Sequence, residues 1–184
     1  MDALELLLSR VSMPALTEPG PTPEQYQTMV QAAYRAPDHA HLQPYRFLRV
    51  RGDRRYDLGK VILDVMLARD SDLAETQQRR LLQNPLRAPE ILLPVLTPKE
   101  HPKVPEIEQV LSLGGAVNNI LHAAHAMGIG AMWRTGLICY EPALAQGLGL
   151  SGDERLYGFI YLGTPVGKNK PVARVKAEDF LSDW

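Results

Sequence analysis

The longest patterned stretch of the chain predicts a helix over residues 106–127. Its apolar residues lie nearly all round the helical circumference, which predicts burial on more than one side, as in a central helix or one at a subunit interface. Glycines and alanines are frequent in the same stretch, and they would let another backbone or a flat ligand approach closely. The pattern therefore predicts one long helix with neighbours on several sides.

Shorter patterns predict the other helices. Apolar residues at three- and four-residue spacing behind Asp2 predict a helix that ends near Arg10. Thr22, Pro23 and Gln25 have the form of a capping box with proline at the first helical position, and an apolar face follows them. Gly52 and Asp53 turn the chain into a helical region whose apolar stripe covers residues 58–66, and further helical patterns cover residues 72–83 and 142–148.

Strand patterns occur at residues 46–51, 90–96, 130–135 and 156–162. Pro94 interrupts the second of these. Because proline lacks the N–H group that a sheet ladder needs, it predicts an edge position or a short strand. Helices and strands mix without regular alternation, which favours an α+β fold over a doubly wound one. At 184 residues the chain is predicted to form a single domain, residues 1–184, with residues 166–184 as a polar tail.

Composition narrows the possible partners. Twenty Lys and Arg residues against 21 Asp and Glu residues give a net charge of -1, so nothing in the overall charge favours nucleic acid or an anionic membrane. Any anion site must then be a local cluster. The single cysteine, Cys139, forms no intrachain disulfide and is compatible with a reducing cytoplasm. Neither a signal-peptide pattern nor a membrane-spanning run is found, and a cytoplasmic location is expected.

Motifs for several common chemistries are missing from the sequence: the phosphate-binding loop of nucleotide hydrolases, the nucleophile elbow and Cys-x-x-Cys. His122 and His125 lie one helical turn apart and could share a metal. No carboxylate or cysteine stands at matching spacing on that helix, so a structural histidine pair is the preferred interpretation and no metal is predicted. Cys139 has no base nearby in sequence and is interpreted as a small buried residue.

The connector at residues 35–47 carries two prolines, two histidines, two arginines and a glutamine. Pro37 and Pro44 are expected to stiffen it and to push Ala36 and Gln43 towards extended conformations. A stiff loop that presents Arg, His and Gln side chains suits a planar, anionic ligand, because little further ordering is needed on binding. The alternative is a turn shaped by prolines with its polar groups in solvent.

Groups that bind phosphate or aromatic rings recur elsewhere. Arg10 lies two residues before Ser12, and Trp133, Arg134 and Thr135 are consecutive. An arginine fork donates two hydrogen bonds to a phosphate at once, and a hydroxyl can complete the anion's shell.

These motifs, in this order, resemble one family. The resemblance is carried by Arg10-Val11-Ser12 after a short helix, by residues 35–39 running into 43–47, by residues 130–136 after the long helix, and by residues 162–165. Together they resemble the small FMN-dependent nitroreductases, in particular a short bacterial branch of NAD(P)H nitroreductases, from residue 1 to about residue 165. The resemblance implies a small, mostly antiparallel sheet surrounded by helices, with the long central helix at a dimer interface.

The resemblance also implies a homodimer that holds two FMN molecules at the subunit interface, each contacted by both chains. Carried over by position, the stretch of Arg10, Val11 and Ser12 would bind the phosphate and ribityl end. Arg35 and His39 would join the flavin site, with the His39 loop reaching across from the partner subunit. The ring and its polar edge near N1 and C2=O would be lined by Trp133, Arg134 and Thr135.

Two further sets of contacts are implied or suggested. NADH or NADPH would contact Ala123, Ala124, His125, Ala126, Met127 and Gly128. Tail residues could add phosphate charge, and the candidates are Lys168, Lys170 and Arg174.

The implied activity is transfer of hydride from NAD(P)H through flavin N5 to a nitroaromatic, a quinone or a similar acceptor, in two half-reactions. No protein nucleophile is required, and water or His39 would supply protons. Val11 stands where the family commonly has arginine, which leaves open a catalytically quiet flavin-binding sensor or partner-binding protein. An interaction protein that binds no FMN, and an enzyme that destroys or dehalogenates its substrate, are the remaining alternatives.

Overall fold

In the computed structural model, which describes residues 2–167, 171–172 and 175–184, six strands form one sheet. Every strand pairing in the described chain is antiparallel. The strands are β1 (Leu16–Thr17), β2 (Tyr45–Arg51), β3 (Glu90–Leu96), β4 (Gly130–Arg134), β5 (Arg155–Leu156) and β6 (Phe159–Pro165).

The first two helices begin where their capping residues predict. The carboxylate of Asp2 accepts the Glu5 N–H at 2.8 Å, and the Thr22–Gln25 capping box forms both of its hydrogen bonds. The helices are α1 (Ala3–Ser9), α2 (Pro23–Ala33), α3 (Arg54–Arg69), α4 (Glu75–Gln83), α5 (Glu106–Ala126) and α6 (Pro142–Gly147). The predicted long helix is α5.

The prediction that Pro94 places its strand at an edge was wrong. Strand β3 pairs with β2 along its whole length, and its other side pairs with β6 near Glu90 and with β5 near Val95. Pro94 lies in the gap between those two partners, where its carbonyl accepts the Tyr157 N–H at 2.8 Å. The N–H and C=O of a strand residue point to the same side, so the missing donor falls where the ladder is interrupted.

The strand predicted at residues 156–162 is divided into β5 and β6. Gly158 separates them with φ +117°, a conformation that L residues rarely adopt. A Cβ atom there would lie 2.5 Å from the indole nitrogen of Trp133 and 2.6 Å from the Arg134 carbonyl oxygen. The break therefore depends on a residue without a side chain.

Alternate residues of the strands face two separate cores. Leu92, Ile160 and Leu162 pack with α2 and α5, whereas Ile91, Leu93 and Tyr161 pack with α3 and α6. The sheet thus lies between two helical layers, as expected for strands whose side chains alternate between faces. The α+β class and the central position of the long helix are confirmed.

One stripe of α5 is not covered by the rest of the described chain. Ile107 is 62% exposed and Leu111 67% exposed, and Gly114 and Asn118 continue the same face at helical spacing. We call these four residues the open stripe. Three leucines of α1 are exposed as well: Leu4, Leu7 and Leu8. Apolar surface of this extent on a helix is typical of an interface.

Among the described residues, none of the helices combines the length and the apolar character that a bilayer crossing requires.

Candidate functional site

Residues 10–13, which follow α1, lie between the C-terminal end of α5 and the sheet and contact both. Just before it, the Ser9 hydroxyl lies 3.0 Å from His125 Nε2. The Met13 N–H then donates to the Ala131 carbonyl on β4 at 3.0 Å. Arg10 and Val11 between these anchors are half-buried, and Ser12 is exposed. The segment is thereby held along the outer edge of β4.

Arg10 brings positive charge to this end of α5. Burial lowers the pKa of His122, and the nearby charge of Arg10 lowers it further. Arg10 forms no ion pair with any carboxylate of the described residues. A half-buried guanidinium without an internal counterion favours an external anion such as a phosphate.

The two histidines of this end of α5 have different surroundings. His125 pairs with Ser9, whereas His122 lies near the Arg10 charge. No group of three or more His, Cys, Asp or Glu side chains within the described ranges is arranged to hold a metal ion. Cys139 is buried, as interpreted from the sequence, and burial raises the pKa of its thiol to about 11.

Trp133 and Arg134 lie at the end of β4, and their side chains are on opposite faces of the sheet. The Trp133 indole N–H donates to the Tyr157 carbonyl at 2.9 Å, on the face that α5 covers. The Arg134 guanidinium carbon lies 5.6 Å from the ring centre of Tyr161, which belongs to the core on the other face. Of these two neighbours, only Trp133 shares a face with Arg10 and α5.

The chain leaves β4 through Thr135 and Gly136. Gly136 has φ 152° and ψ 168°, a combination that is essentially restricted to glycine. Within the described part of the chain, the N–H groups of Thr135 and Gly136 donate to no acceptor. Two main-chain donors are therefore available beside Trp133. Gly136 belongs to a motif of the family resemblance, but no role of its own was predicted for it from the sequence.

The loop at residues 35–47 has an unusual backbone. Ala40, His41 and Gln43 have φ of 62°, 54° and 48°, which is uncommon for residues other than glycine. The expected extended conformation of Gln43 was therefore wrong. Its N–H donates to the Asp38 carboxylate at 2.7 Å, and this bond holds the residue in the left-handed region.

The histidine of this loop has a partner on α5. His39 Nδ1 lies 2.6 Å from Glu108 Oε2. Arg35 is exposed and lines a cavity of about 250 Å³ together with Tyr34, Asp38 and His41. Glu108 was not identified from the sequence, because the contact joins residues that are distant along the chain.

One chain does not bring all the predicted residues together. His39 contacts Glu108 in the first turn of α5, whereas Arg10 lies near His122 towards its other end. At 1.5 Å per residue, Glu108 and His122 are about 21 Å apart along the helix axis. The His39 loop and the Arg10 segment therefore occupy opposite ends of α5.

The stretch assigned to NAD(P)H forms the end of α5. Ala124 is buried, Ala126 and Gly128 are exposed, and the Gly128 N–H donates to the His125 carbonyl at 3.0 Å. The structure thus shows helix termination and packing here. The tail candidates Lys168, Lys170 and Arg174 lie outside the described residues.

The fold is an antiparallel sheet between two helical layers. The described residues place a cationic segment and main-chain donors without acceptors at one edge of that sheet. Comparison with known proteins identifies the class to which this arrangement belongs. A family model described as "Nitroreductase family" matches residues 9–164, and the chain belongs to the nitroreductase family. It is accordingly an oxidoreductase by class, and the resemblance inferred from its motifs is confirmed.

Particular relatives extend this result. The Escherichia coli K12 protein named "Putative NAD(P)H nitroreductase YdjA" is 40% identical over 165 residues, which cover 90% of this chain and 89% of the relative. A nitroreductase-like protein from Bacillus cereus has the same fold, with a TM-score of 0.85, 19% identity, and coverage of 100% of this chain and 96% of that one. A Desulfovibrio desulfuricans nitroreductase solved in complex with FMN has a TM-score of 0.75 at 25% identity, covering 100% and 98% of the two chains.

Proposed function

We propose that this protein is an FMN-dependent oxidoreductase that takes hydride from NADH or NADPH and reduces a nitroaromatic, a quinone or a similar acceptor. The observation that carries the proposal is that, among the described residues, the Arg10 guanidinium beside α5 has no carboxylate partner and the N–H groups of Thr135 and Gly136 at the end of β4 have no acceptor. The guanidinium suits a phosphate, and the main-chain N–H groups suit the carbonyl edge of a flavin ring. A relative that is 25% identical binds FMN, which supports the same cofactor here.

The residues present fit FMN. Arg10 and the Ser12 hydroxyl would bind its phosphate, Val11 would pass beside the ribityl chain, and Trp133 would border the ring. We assign the polar edge of the ring to the main chain at Thr135 and Gly136, because the Arg134 side chain lies on the other face of the sheet. Bound FMN would supply hydride transfer at its N5 atom.

The protein's part in the reaction is binding and orientation. Donors held on the end of a strand need no reordering when charge develops on a flavin, which is how preorganised dipoles stabilise a reduced ring. NAD(P)H would approach along the exposed end of α5 at residues 123–128, and the acceptor would use the same side of the ring after it leaves. The raised pKa of buried Cys139 gives no support to a thiolate mechanism.

The proposal includes a homodimer in which α5 lies at the interface. The open stripe lies between the His39 loop at one end of α5 and the Arg10 segment at the other. If two copies pack their open stripes about a two-fold axis with the helices antiparallel, the His39 loop of each copy comes near the Arg10 segment of its partner. Arg35 and His39 could then complete a flavin site that one chain cannot form alone.

Replacing Leu111 by aspartate should convert the dimer to a monomer and weaken FMN binding together with it. The side chain is 67% exposed in the single chain, so the substitution should not disturb its own core, but it would bury a charge in the proposed interface. Sedimentation velocity and FMN titration measure the two effects. Leu86, exposed on another surface, gives the matched control Leu86→Asp. A Leu111→Asp dimer that binds FMN normally would contradict the proposed interface.

Replacing Arg10 by alanine should weaken FMN binding by about 1.5 to 3 kcal/mol, the contribution of a charge-assisted hydrogen bond. Fluorescence titration of FMN measures the change. Arg134→Ala is the informative comparison, because the Arg134 guanidinium packs near Tyr161 on the other face. We expect a smaller loss for Arg134→Ala. Equal losses would mean that Arg134 reaches the flavin, and an unchanged affinity of Arg10→Ala would remove Arg10 as a phosphate ligand.

An anaerobic absorption experiment tests the proposed reaction. The protein loaded with FMN should be yellow, should lose its flavin bands on addition of NADH or NADPH, and should regain them when a quinone is added. Flavin bands that persist with both nicotinamides would leave a flavin-binding protein without turnover. A protein that stays colourless after incubation with FMN would leave an interaction protein on this fold.

A further inference from the structure

The contact between His39 and Glu108 is more specific than a surface ion pair. His39 Nδ1 lies 2.6 Å from Glu108 Oε2, although the two side chains are 53% and 41% exposed. Exposed pairs contribute about 0 to 1 kcal/mol to stability, so the pair has little value for folding. Its distance is that of a charge-assisted hydrogen bond, which fixes orientation as well as proximity.

The contact determines which ring nitrogen carries the proton. An ionised carboxylate can only accept hydrogen bonds, so the proton must be on Nδ1. Nε2 is then directed away from Glu108, either with a free lone pair or, in the imidazolium form, as a second donor. Free histidine in water prefers the opposite neutral tautomer, with its proton on Nε2.

The same contact anchors a loop whose backbone is strained. Ala40 and His41, which follow His39 directly, and Gln43 all have positive φ. Each such residue costs about 1 to 3 kcal/mol and persists only where its surroundings hold it. Within the loop, the His41 N–H donates to the Asp38 carbonyl and the Gln43 N–H donates to the Asp38 carboxylate. Glu108 fixes the loop from outside, on α5.

We infer that Glu108 is the positioning residue of His39: it holds the imidazole with the proton on Nδ1 and fixes the loop at residues 38–43, so that Nε2 is presented to the flavin. The inference rests on the proposed function for the identity of the ligand. Glu108 itself need not touch the flavin. Leu111, one turn further along α5, belongs to the open stripe, so dimer formation would exclude water from this pair and strengthen it.

Nitrogen-15 NMR of histidine-labelled protein tests the tautomer directly, without FMN. Wild-type His39 should show the Nδ1–H form, and Glu108→Ala should show the Nε2–H form. Glu108→Gln keeps the side-chain length, but its amide can either accept from Nδ1 or donate to it, so this variant should no longer hold a single tautomer. Glu106 lies half a turn earlier on α5 and pairs with Arg155 at 2.6 Å, so Glu106→Ala is the matched control and should leave His39 unchanged.

FMN titration of the same variants tests the consequence for binding. Glu108→Ala should weaken FMN binding roughly tenfold, the equivalent of one charge-assisted hydrogen bond. Glu108→Gln, which no longer holds a single tautomer, should fall between wild type and Glu108→Ala, and Glu106→Ala should match wild type. Hydrogen exchange of the amides at residues 38–43 should accelerate only in Glu108→Ala.

The outcomes separate this inference from the proposed function. An Nδ1–H tautomer that survives in Glu108→Ala, or equal FMN affinities of Glu108→Ala and Glu106→Ala, would overturn the inference while leaving the function intact. Wild-type protein that binds no FMN would overturn the proposed function and with it the presentation of Nε2 to a flavin. The tautomer measurement in the FMN-free protein would still decide whether Glu108 positions His39.

Discussion

Gly158→Ala is expected to lower the free energy of unfolding by about 3 kcal/mol and to weaken FMN binding at the same time. Strain at φ +117° contributes about 1 to 2 kcal/mol for a residue with a Cβ atom. The new methyl group would also lie 2.5 Å from Trp133 Nε1 and 2.6 Å from the Arg134 carbonyl oxygen, and overpacking adds about 1 to 3 kcal/mol. Relief of the clash must move the strand end that we propose as the border of the flavin.

Gly152→Ala separates backbone strain from overpacking as the cause of the destabilisation. Gly152 has φ +46°, but a Cβ atom there would have no heavy atom within 4 Å. It should therefore show only the cost of strain, about 1 kcal/mol, with FMN affinity unchanged. Urea unfolding and flavin titration measure both quantities. If Gly158→Ala destabilises no more than Gly152→Ala, the close packing of Gly158 under β4 is not what requires a glycine.

Arg49→Met is expected to destabilise the protein by about 3 kcal/mol at neutral pH, because it leaves a buried carboxylate without its cation. Glu90 is 9% exposed, and Arg49 donates to it through two nitrogens at 2.5 and 2.8 Å. The Tyr26 hydroxyl donates to the same carboxylate at 2.7 Å, and the guanidinium lies 4.0 Å from the Tyr26 ring centre. Arg54→Met removes an exposed arginine paired with Asp57 and should change stability by less than about 0.5 kcal/mol.

The pH dependence of this effect follows from the pKa of Glu90. Burial raises that pKa, but hydrogen bonds from Arg49 and then Tyr26 outweigh burial, and the net pKa is lowered. The network therefore stabilises the protein fully above the ordinary glutamate pKa of about 4.3, and this contribution is lost as the pH falls towards the lowered value. In Arg49→Met the orphaned carboxyl can protonate, so the difference from wild type should shrink between pH 7 and pH 4. A difference that stays constant would show that Glu90 does not carry the effect.

Part of the candidate site could be predicted from the sequence, because the type of a side chain determines which ligand groups it can bind. Arg10, Ser12 and Trp133 were identified as phosphate and ring binders from their side chains and from the order of the motifs, and family membership is confirmed. Their roles towards a flavin remain predictions. The separation of Trp133 from Arg134 was not foreseen, because it depends on how β4 is oriented in the sheet and on which core lies beneath each face.

The remaining differences have the same origin. Pro94 was predicted to lie at an edge or in a short strand because its missing N–H was considered without knowledge of the neighbouring strands. In the sheet it lies opposite a gap between two partners. Gly158 was predicted to lie inside a single strand, although an isolated glycine in a strand pattern often marks a break. Glu108 had no sequence signal, since its partner His39 is distant along the chain.

The sequence by itself determined the starts of α1 and α2, the long α5, the α+β class and the family. Capping and periodicity act between residues at most four positions apart, so these features are written locally in the chain. Only the tertiary structure decided which side chains share a face and that His39 and Arg10 lie at opposite ends of one helix. It also decided that the described chain leaves the open stripe between them uncovered. Those relations arise from strand pairing and helix packing between distant segments, whose geometry no local pattern specifies.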